Sequence, residues 1–267
     1  MVILALGCIL YILSSIEMFL IDNMNIQDVA VIIPARIGST RLVGKPLAKI
    51  GDRTMIEHVA LQVAQVGLPY IYVATDSLEV MRVLEDVGIK SLFVDAPCRT
   101  GSDRVYAASE LLPKKFKYII NVQGDMPFCD PDIVRTLVEC RLQSKADIVT
   151  PVVLVDKDGI QGHVSAVSDV NNMALYFSRH NIPHPFVQQP AAYQCHIGIY
   201  GFTDESIRKF CSLGSGQLET CESLEQLRAL ENGMSIELCT VKTVPLSVDT
   251  PADLEKAVAY WHLVNQQ

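Results

Sequence analysis

The segment at residues 34–47, PARIGSTRLVGKPL, constrains the possible fold and function of this chain more than any other. It places Arg36, Arg41 and Lys45, together with two glycines, directly after the apolar run 29–33. Backbone N–H groups and fixed positive charges in a loop behind a buried strand converge on anions, so the pattern favours a polyphosphate site. Taken alone, it fits a basic surface turn equally well.

This loop is not a Walker A motif. Gly38 and Gly44 are separated by five residues where that motif has four, and Pro46 follows Lys45 where the motif needs a Ser or Thr for Mg²⁺. The loop also lacks G-x-G-x-x-G, and the segment 214–219, GSGQLE, lacks the third glycine of that pattern. The sequence therefore argues against kinases, GTPases and dinucleotide-dependent oxidoreductases.

Apolar periodicity and capping residues predict alternating helices and strands. The predicted order is a helix from about 55 to 66 capped by Thr54, a strand at 70–74, a helix capped by Ser77 and closed by Gly88, a strand at 118–122, and a helix opened by Asp130 and Pro131. This βαβ order implies an α/β fold, with a three-layer, mostly parallel sheet and a ligand site at the carboxyl ends of its strands.

From about residue 147 to 200 the signal changes to strands and turns, with Asn171 and Asn172 as a possible hairpin tip. We interpret 151–200 as a small strand-rich subdomain for sugar binding and dimerisation, within a single domain spanning 24–267. Thr250 and Pro251, with Asp253 as a capping partner, predict the final helix.

Carboxylates at strand ends indicate where a cation would bind. Asp125 follows Gly124 after the strand 118–122, where oxygen ligands can hold a hard cation. Asp249 is predicted to end a C-terminal strand just before the last helix. A turn or capping role for Asp249 is the alternative.

Composition limits the partners. The formal net charge is −8 over 267 residues, which disfavours nucleic acid as a ligand. The eight cysteines form no C-x-x-C pair and are predicted to be free thiols in a reducing cytosol. His180 and His184 have metal-like spacing, but Pro183 lies between them and disfavours a helix there.

The N-terminal segment 1–23 is apolar and long enough to span a bilayer. No Lys or Arg precedes or follows it before Arg36, so the flanking charges of a membrane anchor or signal peptide are missing. We therefore interpret Met24 as the start of the protein, with a membrane anchor as the alternative. The predicted location is cytoplasmic.

Eight segments, in order, resemble the family of 3-deoxy-manno-octulosonate (Kdo) cytidylyltransferases, also called CMP-Kdo synthetases. The resemblance covers the chain from about residue 26 to the last helix. The segments are PARIGSTRLVGKPL (34–47), VATDSLEV (73–80), RTGSDRV (99–105), NVQGDMPF (121–128), ALYFSR (174–179), HIGIYGF (196–202), LEQLRALENG (224–233) and VDTPADLEKA (248–257).

The resemblance implies a Rossmann-like, glycosyltransferase-A-like nucleotidyltransferase fold and transfer of CMP from CTP to the anomeric C2 hydroxyl of Kdo, with release of pyrophosphate, for lipopolysaccharide synthesis. It also implies Mg²⁺ as cofactor and a homodimer. The implied catalytic residues are Arg41, Lys45, Asp125 and Asp249, of which Asp125 and Asp249 would bind the metal.

The remaining implied roles belong to the two substrates. The nucleotide would be bound by Pro34, Ala35, Arg36, Ser39, Arg41, Lys45, Arg99, Thr100, Gly101, Ser102 and Gln123. The sugar would be bound by Gln123, Arg179, His196, Tyr200, Glu225 and Gln226.

Three positions depart from the family pattern. Met126 stands where Glu is usual, Val43 where Pro is usual, and Ser165 where Lys is common. The loss of a carboxylate beside Asp125 is expected to affect the surroundings of the metal most. One alternative stays open: a synthetase for another acidic sugar, such as a sialic acid or an amino-Kdo. A scaffold that only binds a partner would be expected to lack one of the anchors Arg41, Lys45, Asp125 and Asp249, which are all present.

Overall fold

The structure is a computed structural model that describes residues 26–188 and 190–265. The predictions for residues 1–23 lie outside these ranges. Within the described ranges, no helix is long and apolar enough to cross a membrane.

Strands and helices alternate along the first half of the chain, and strands dominate the middle. The strands are β1 Val29–Ala35, β2 Lys49–Ile50, β3 Arg53–Thr54, β4 Ile71–Thr75, β5 Lys90–Phe93, β6 Tyr118–Asn121, β7 Ile148–Val155, β8 Val164–Ser168, β9 Ala174–Ser178, β10 Tyr193–His196, β11 Tyr200–Thr203 and β12 Ile236–Val241. The helices are α1 Met55–Ala64, α2 Leu78–Asp86, α3 Gly101–Ser109, α4 Pro131–Gln143, α5 Asp204–Ser212, α6 Gln217–Glu222, α7 Gln226–Glu231 and α8 Pro251–Asn265.

One large mixed sheet organises the fold. Its order is β5-β4-β1-β6-β11-β7-β10-β8-β9, and β12 pairs with β7. The β5-β4-β1-β6 part is parallel, which confirms the predicted βαβ core. The strands from β11 to β9 in this order pair antiparallel, so the predicted strand-rich region extends the same sheet.

Alternate residues of the central strand face two separate hydrophobic layers. Val29, Val31 and Ile33 of β1 pack with helices α1, α2 and α4, whereas Ala30 and Ile32 pack with α3, α5 and α7. This two-sided burial explains the continuous apolar run, because a parallel strand covered by helices on both faces has no polar face. The three-layer α/β architecture is therefore confirmed.

The predicted capping residues begin the helices as expected. Thr54 and Glu57 form a capping box on α1, Ser77 caps α2, and Asp130 caps α4 with Pro131 as the first helical residue. Each cap satisfies an N–H group that the helix itself leaves without a partner. The C-terminal helix uses Asp253, which accepts hydrogen bonds from the Thr250 amide at 3.1 Å and hydroxyl at 2.7 Å.

The prediction that Asp249 ends a strand is wrong. The chain is irregular between β12 and α8, and Pro245 removes one of the N–H groups that a strand there would use. A single backbone hydrogen bond from Val248 N to Asp125 O, 2.9 Å long, anchors this stretch beside β6. Asn171 and Asn172 do form the turn between β8 and β9, with Asn172 at φ 62°.

Candidate active site

A cavity of about 210 Å³ opens at the carboxyl ends of β1 and β6. Its walls are the loop after β1, the start of α3, the turn after β6 and the stretch before α8. The predicted residues that line it are Pro34, Ala35, Arg36, Ser39, Arg41, Lys45, Arg99, Thr100, Gly101, Gln123, Asp125 and Asp249.

The cationic loop is shaped by Gly44. This residue adopts a left-handed conformation, with φ 64° and ψ 24°, that side chains with a Cβ rarely take. It precedes a short 3-10 helix, Lys45–Leu47, in which Pro46 occupies an early position where no N–H donor is needed. The glycine and proline that exclude a Walker A loop thus direct the Lys45 side chain into the cavity.

Lys45 joins the two predicted carboxylates. Its Nζ lies 2.7 Å from Asp125 Oδ2 and 2.8 Å from Asp249 Oδ1, and Arg41 donates to the same Asp249 oxygen at 3.1 Å. The Lys45 side chain is only 14% exposed, so water screens this contact less than a surface ion pair. Two carboxylates separated by more than a hundred residues therefore meet at one point, as predicted.

Gly124 is required because the backbone after β6 passes close to the end of β1. Its φ is not positive; instead, a Cβ there would lie 2.6 Å from the Pro34 carbonyl oxygen. The glycine allows the turn after β6 to pass directly beside the end of β1. This close approach brings Asp125 to the cationic loop.

The start of helix α3 forms the wall of the cavity that faces the cationic loop. Asp103 forms a capping box with Thr100, and it also accepts hydrogen bonds from the Arg99 amide at 3.0 Å and Arg99 Nε at 3.3 Å. This contact fixes Arg99 at the rim of the cavity. Ser102, predicted to bind the nucleotide, is fully buried and does not line the cavity.

Ser102 instead connects the nucleotide side to the predicted sugar side. Its hydroxyl donates to Glu225 Oε1 at 2.9 Å and accepts from Asn121 Nδ2 at 3.0 Å, and Gln123 Nε2 donates to Asn121 Oδ1 at 3.4 Å. Burial raises the pKa of the Glu225 carboxyl. Glu225 Oε2 is buried with no hydrogen-bond partner among the described residues.

Three predicted sugar-side residues form a buried cluster behind this chain of contacts. Tyr200 donates to Gln226 Oε1 at 3.1 Å, and the Gln226 amide lies 3.4 Å from His196 Nδ1. His196 Nε2 contacts Thr150 Oγ1 at 2.8 Å, and burial lowers the pKa of His196 to about 3. The imidazole is therefore neutral.

Arg179 lies apart from that cluster. Its Nε donates to the Glu222 carbonyl at 2.6 Å and its Nη2 to the Ser223 carbonyl at 3.0 Å. These carbonyls immediately precede Leu224 and Glu225 in the chain. The side chain is exposed, and it is not part of the cavity wall.

Several cavity residues were not predicted. Thr40, Pro46, Cys98, Gly124 and Arg104 also line the cavity. Of these residues, Arg104 could most readily have been predicted from the sequence, because it is the second arginine of the segment RTGSDRV (99–105). Its burial at 6% exposure could not be inferred from the sequence, since arginines on helices usually face solvent.

The departures from the family pattern lie in different surroundings. Met126 is 7% exposed and packs in the hydrophobic layer with Val122, Cys129 and Ile133. Val43 is exposed, and Ser165 is buried between β9 and β10. The Met126 side chain is therefore part of the core. The effect of losing a carboxylate there on a metal bound at Asp125 stays a prediction.

The predictions about the cysteines and about further metal ligands can also be compared with the structure. The cysteines in the described ranges are free, as predicted, while Cys8 lies outside them. No group of three or more metal-ligating side chains occurs within 26–188 and 190–265. Asp125 and Asp249 are thus a pair of carboxylates and not part of a larger group of this kind.

The cationic loop and the pair of carboxylates lie at the carboxyl ends of parallel strands, which is where ligands bind in open α/β sheets. A putative glucose-1-phosphate thymidylyltransferase from Bacillus anthracis shares the fold, with a TM-score of 0.62 at 16% identity over 87% of this chain and 95% of that one. At this identity the similarity shows the fold alone.

Comparison with known sequences identifies the class of protein. Residues 30–236 match the cytidylyltransferase family. The chain is 48% identical over 242 residues to the 3-deoxy-manno-octulosonate cytidylyltransferase of Rickettsia bellii (strain OSU 85-389), covering 89% of this chain and 98% of that protein. It is 47% identical over 247 residues to the Rickettsia africae (strain ESF-5) protein, with 91% and 99% covered.

A solved structure agrees with these relatives. A CMP:2-keto-3-deoxy-manno-octonic acid synthetase complexed with CTP superimposes with a TM-score of 0.82 at 33% identity, covering 90% of this chain and 99% of that one. The chain belongs to the 3-deoxy-manno-octulosonate cytidylyltransferase family.

Proposed function

We propose that this protein transfers CMP from CTP to the anomeric C2 hydroxyl of Kdo, releasing pyrophosphate and supplying CMP-Kdo for lipopolysaccharide synthesis. The observation that carries the proposal is the cavity in which Arg41 and Lys45 meet Asp125 and Asp249. The CTP complex of the related synthetase supports the choice of nucleotide.

The loop and α3 would bind the nucleotide from two sides. Arg36, Ser39, Arg41 and Lys45 converge on the cavity from the β1 loop and are suited to the triphosphate, because fixed cations neutralise its charge. Thr100 and Gly101, at the start of α3, and Gln123 would contact the base and ribose. Such a reaction depends on alignment and charge neutralisation rather than on a covalent protein intermediate.

Asp125 and Asp249 would hold Mg²⁺. One ammonium group contacts an oxygen of each carboxylate within 2.8 Å, so both carboxylates are within reach of one small cation, and carboxylate oxygens are its preferred ligands. When bound, Mg²⁺ supplies charge neutralisation for the phosphates. Arg41 and Lys45, which already contact these carboxylates, would then be available to the phosphate oxygens.

The sugar side would be organised by helix α7. Glu225, with its unpaired Oε2, suits a hydroxyl donor of the sugar. Gln226, held by Tyr200 and His196, would present its amide to another hydroxyl. Arg179 would pair with the sugar carboxylate through two parallel hydrogen bonds. Gln123, the sixth predicted sugar residue, lines the nucleotide cavity and would face both substrates.

The enzyme is proposed to be a cytoplasmic homodimer, because CTP is a cytosolic substrate and the strand-rich region exposes apolar side chains. Leu154, Leu175, Phe186 and Val187 are between 55% and 92% exposed, and β9 forms an edge of the sheet. Light scattering should give a dimer mass that Leu175→Asp lowers, whereas Leu263→Asp on α8 should leave it unchanged. A monomeric parent protein would reject the dimer.

The direct test is pyrophosphate release by the purified protein with CTP, Mg²⁺ and a panel of acidic sugars. Mass spectrometry should detect CMP-Kdo in the reaction with Kdo. A sialic acid or amino-Kdo as the better acceptor would select the alternative synthetase. No CMP-sugar with any acceptor would reject the proposed function and favour a binding scaffold.

A further inference from the structure

Asp76 links three elements around the nucleotide cavity without lining it. It directly follows β4, and its Oδ1 accepts a hydrogen bond from the Ile37 amide at 2.9 Å. Its Oδ2 accepts from Arg104 Nη2 on α3, also at 2.9 Å. One carboxylate thus connects the beginning of the cationic loop with the helix on the opposite side of the cavity.

Arg104 is held by two acceptors. Besides Asp76, its Nη1 donates to the Val94 carbonyl at 3.1 Å, just beyond β5. The Arg104 side chain is 7% exposed, and it lines the cavity. A guanidinium fixed at both terminal nitrogens and largely removed from water cannot change rotamer at low cost, since either change leaves a buried donor unpaired.

The Asp76 contact acts at the base of the cationic loop. Ile37 directly follows Arg36, and its carbonyl accepts from the Ser39 amide at 2.9 Å. The backbone that carries Arg36 and Ser39 is therefore fixed by the Asp76 hydrogen bond rather than by strand pairing, because β1 ends at Ala35. Beyond this point, the loop carries Arg41, which is 66% exposed.

We propose that Asp76 and Arg104 are a positioning pair that sets the separation of the two walls of the nucleotide cavity. The pair holds the loop and helix α3 in register for the triphosphate before the nucleotide arrives. This inference rests on the proposed function, and it assigns to both residues a role in nucleotide affinity rather than in sugar binding or the chemical step.

Two conservative variants test the pair. Asp76→Asn retains an acceptor for Ile37 N–H but loses the charge that pairs with Arg104, and Arg104→Lys cannot donate to Asp76 and Val94 in the same planar geometry. Each is expected to weaken CTP binding in calorimetry about tenfold and to raise the KM for CTP similarly. The kcat and the KM for Kdo should stay within about twofold of the parent protein.

The double variant decides between a pair and two separate effects. If the residues act together, Asp76→Asn with Arg104→Lys should weaken CTP binding by about the same factor as either single change. Glu110→Gln, which breaks an exposed ion pair with Lys115 at the far end of α3, is the matched control and should bind CTP normally. Thermal unfolding of every variant identifies any that fail to fold.

Failure of this inference and failure of the proposed function give different results. CTP binding by the parent protein together with unchanged affinity in both folded single variants would overturn the inference and leave the proposed function intact. Multiplicative losses in the double variant, or equal rises in the KM values for CTP and Kdo, would also overturn it. A parent protein that does not bind CTP would reject the proposed function itself, and the inference with it.

Discussion

The Lys45 ammonium lies 2.7 Å from Oδ2 of Asp125, although the two residues are 80 positions apart in the sequence. The contact is short because Gly44 turns the loop toward the cavity and Gly124 lets β6 end beside Pro34. The same ammonium reaches Asp249 at 2.8 Å. A lysine that bridges both candidate metal ligands has consequences for how the site binds a cation.

Loss of either carboxylate should slow turnover strongly. Asp125→Asn and Asp249→Asn remove a charge that would hold Mg²⁺ against the phosphates, and we expect kcat to fall on the order of a hundredfold or more. Steady-state kinetics at saturating Mg²⁺ measure this. Asp86→Asn, at an exposed position of α2, is the control. Near-normal turnover in either site variant would remove that residue from the metal site.

Metal binding without nucleotide should depend on Lys45. Its ammonium uses the carboxylate oxygens that a cation needs, so Mn²⁺ alone should bind the parent protein weakly. Lys45→Met removes this competitor, and we expect about tenfold tighter Mn²⁺ binding by electron paramagnetic resonance, together with a large loss of turnover. Lys49→Met is the matched control on an exposed lysine. Equal Mn²⁺ affinity in the parent and Lys45→Met would contradict this prediction.

Arg179 should affect the sugar more than the nucleotide. It lies outside the nucleotide cavity, and its donors contact the backbone carbonyls just before Glu225. Arg179→Lys replaces a planar two-donor group with a point charge, so the KM for Kdo should rise about tenfold while the KM for CTP changes little. Arg208→Lys, on the exposed face of α5, provides the control. Equal changes in both KM values would indicate a structural role in holding residues 222–223.

The sequence predicted the parallel core and the anion-binding loop from local patterns, whereas the individual nucleotide-binding residues came from the family resemblance. Apolar runs, capping residues such as Thr54 and Ser77, and the glycines of the cationic loop determine their own surroundings. Cavity residues after β1 and β6 follow from the rule that ligands bind at the carboxyl ends of parallel strands. The carboxylates Asp125 and Asp249 were paired through the family resemblance, not through spacing.

What escaped prediction depends on long-range packing. Nothing local distinguishes Ser102, buried against Glu225 and Asn121, from its cavity-lining neighbour Gly101. The same holds for Arg228, because an arginine on a helix usually faces water, whereas Arg228 is fully buried against Glu219 and Phe210. Burial of this kind is decided by which elements pack together, and single-residue preferences carry little of that information.

His196 should make stability depend on pH. The Thr150 hydroxyl donates to the Ile199 carbonyl at 2.7 Å, so the His196 contact with Thr150 requires a proton on Nε2, and Nδ1 is left as an acceptor for the Gln226 amide. Protonation of Nδ1 would place two donors face to face in a buried site. This arrangement agrees with the lowering of the pKa of His196 to about 3 by burial.

The direction of this pH dependence follows from the protonation of His196 in the folded and the unfolded protein. In the unfolded chain a histidine has its ordinary pKa near 6.5, so between about pH 6.5 and pH 3 the unfolded state binds a proton that the folded state does not. Stability from the neutral imidazole is present above pH 6.5 and is lost as the pH falls. The free energy of unfolding should decrease by up to about 1.4 kcal/mol per pH unit below pH 6.5 from this group.

Urea unfolding at several pH values between 8 and 5 measures the effect. His196→Gln keeps polar contacts to Thr150 and Gln226 but cannot take up a proton, so its unfolding free energy should fall less steeply with decreasing pH than that of the parent protein. Subtracting the two curves cancels all other titrating groups. His163→Gln, at an exposed position, is the matched control. Parallel curves for the parent and His196→Gln would show that His196 is protonated in the folded protein as readily as in the unfolded chain.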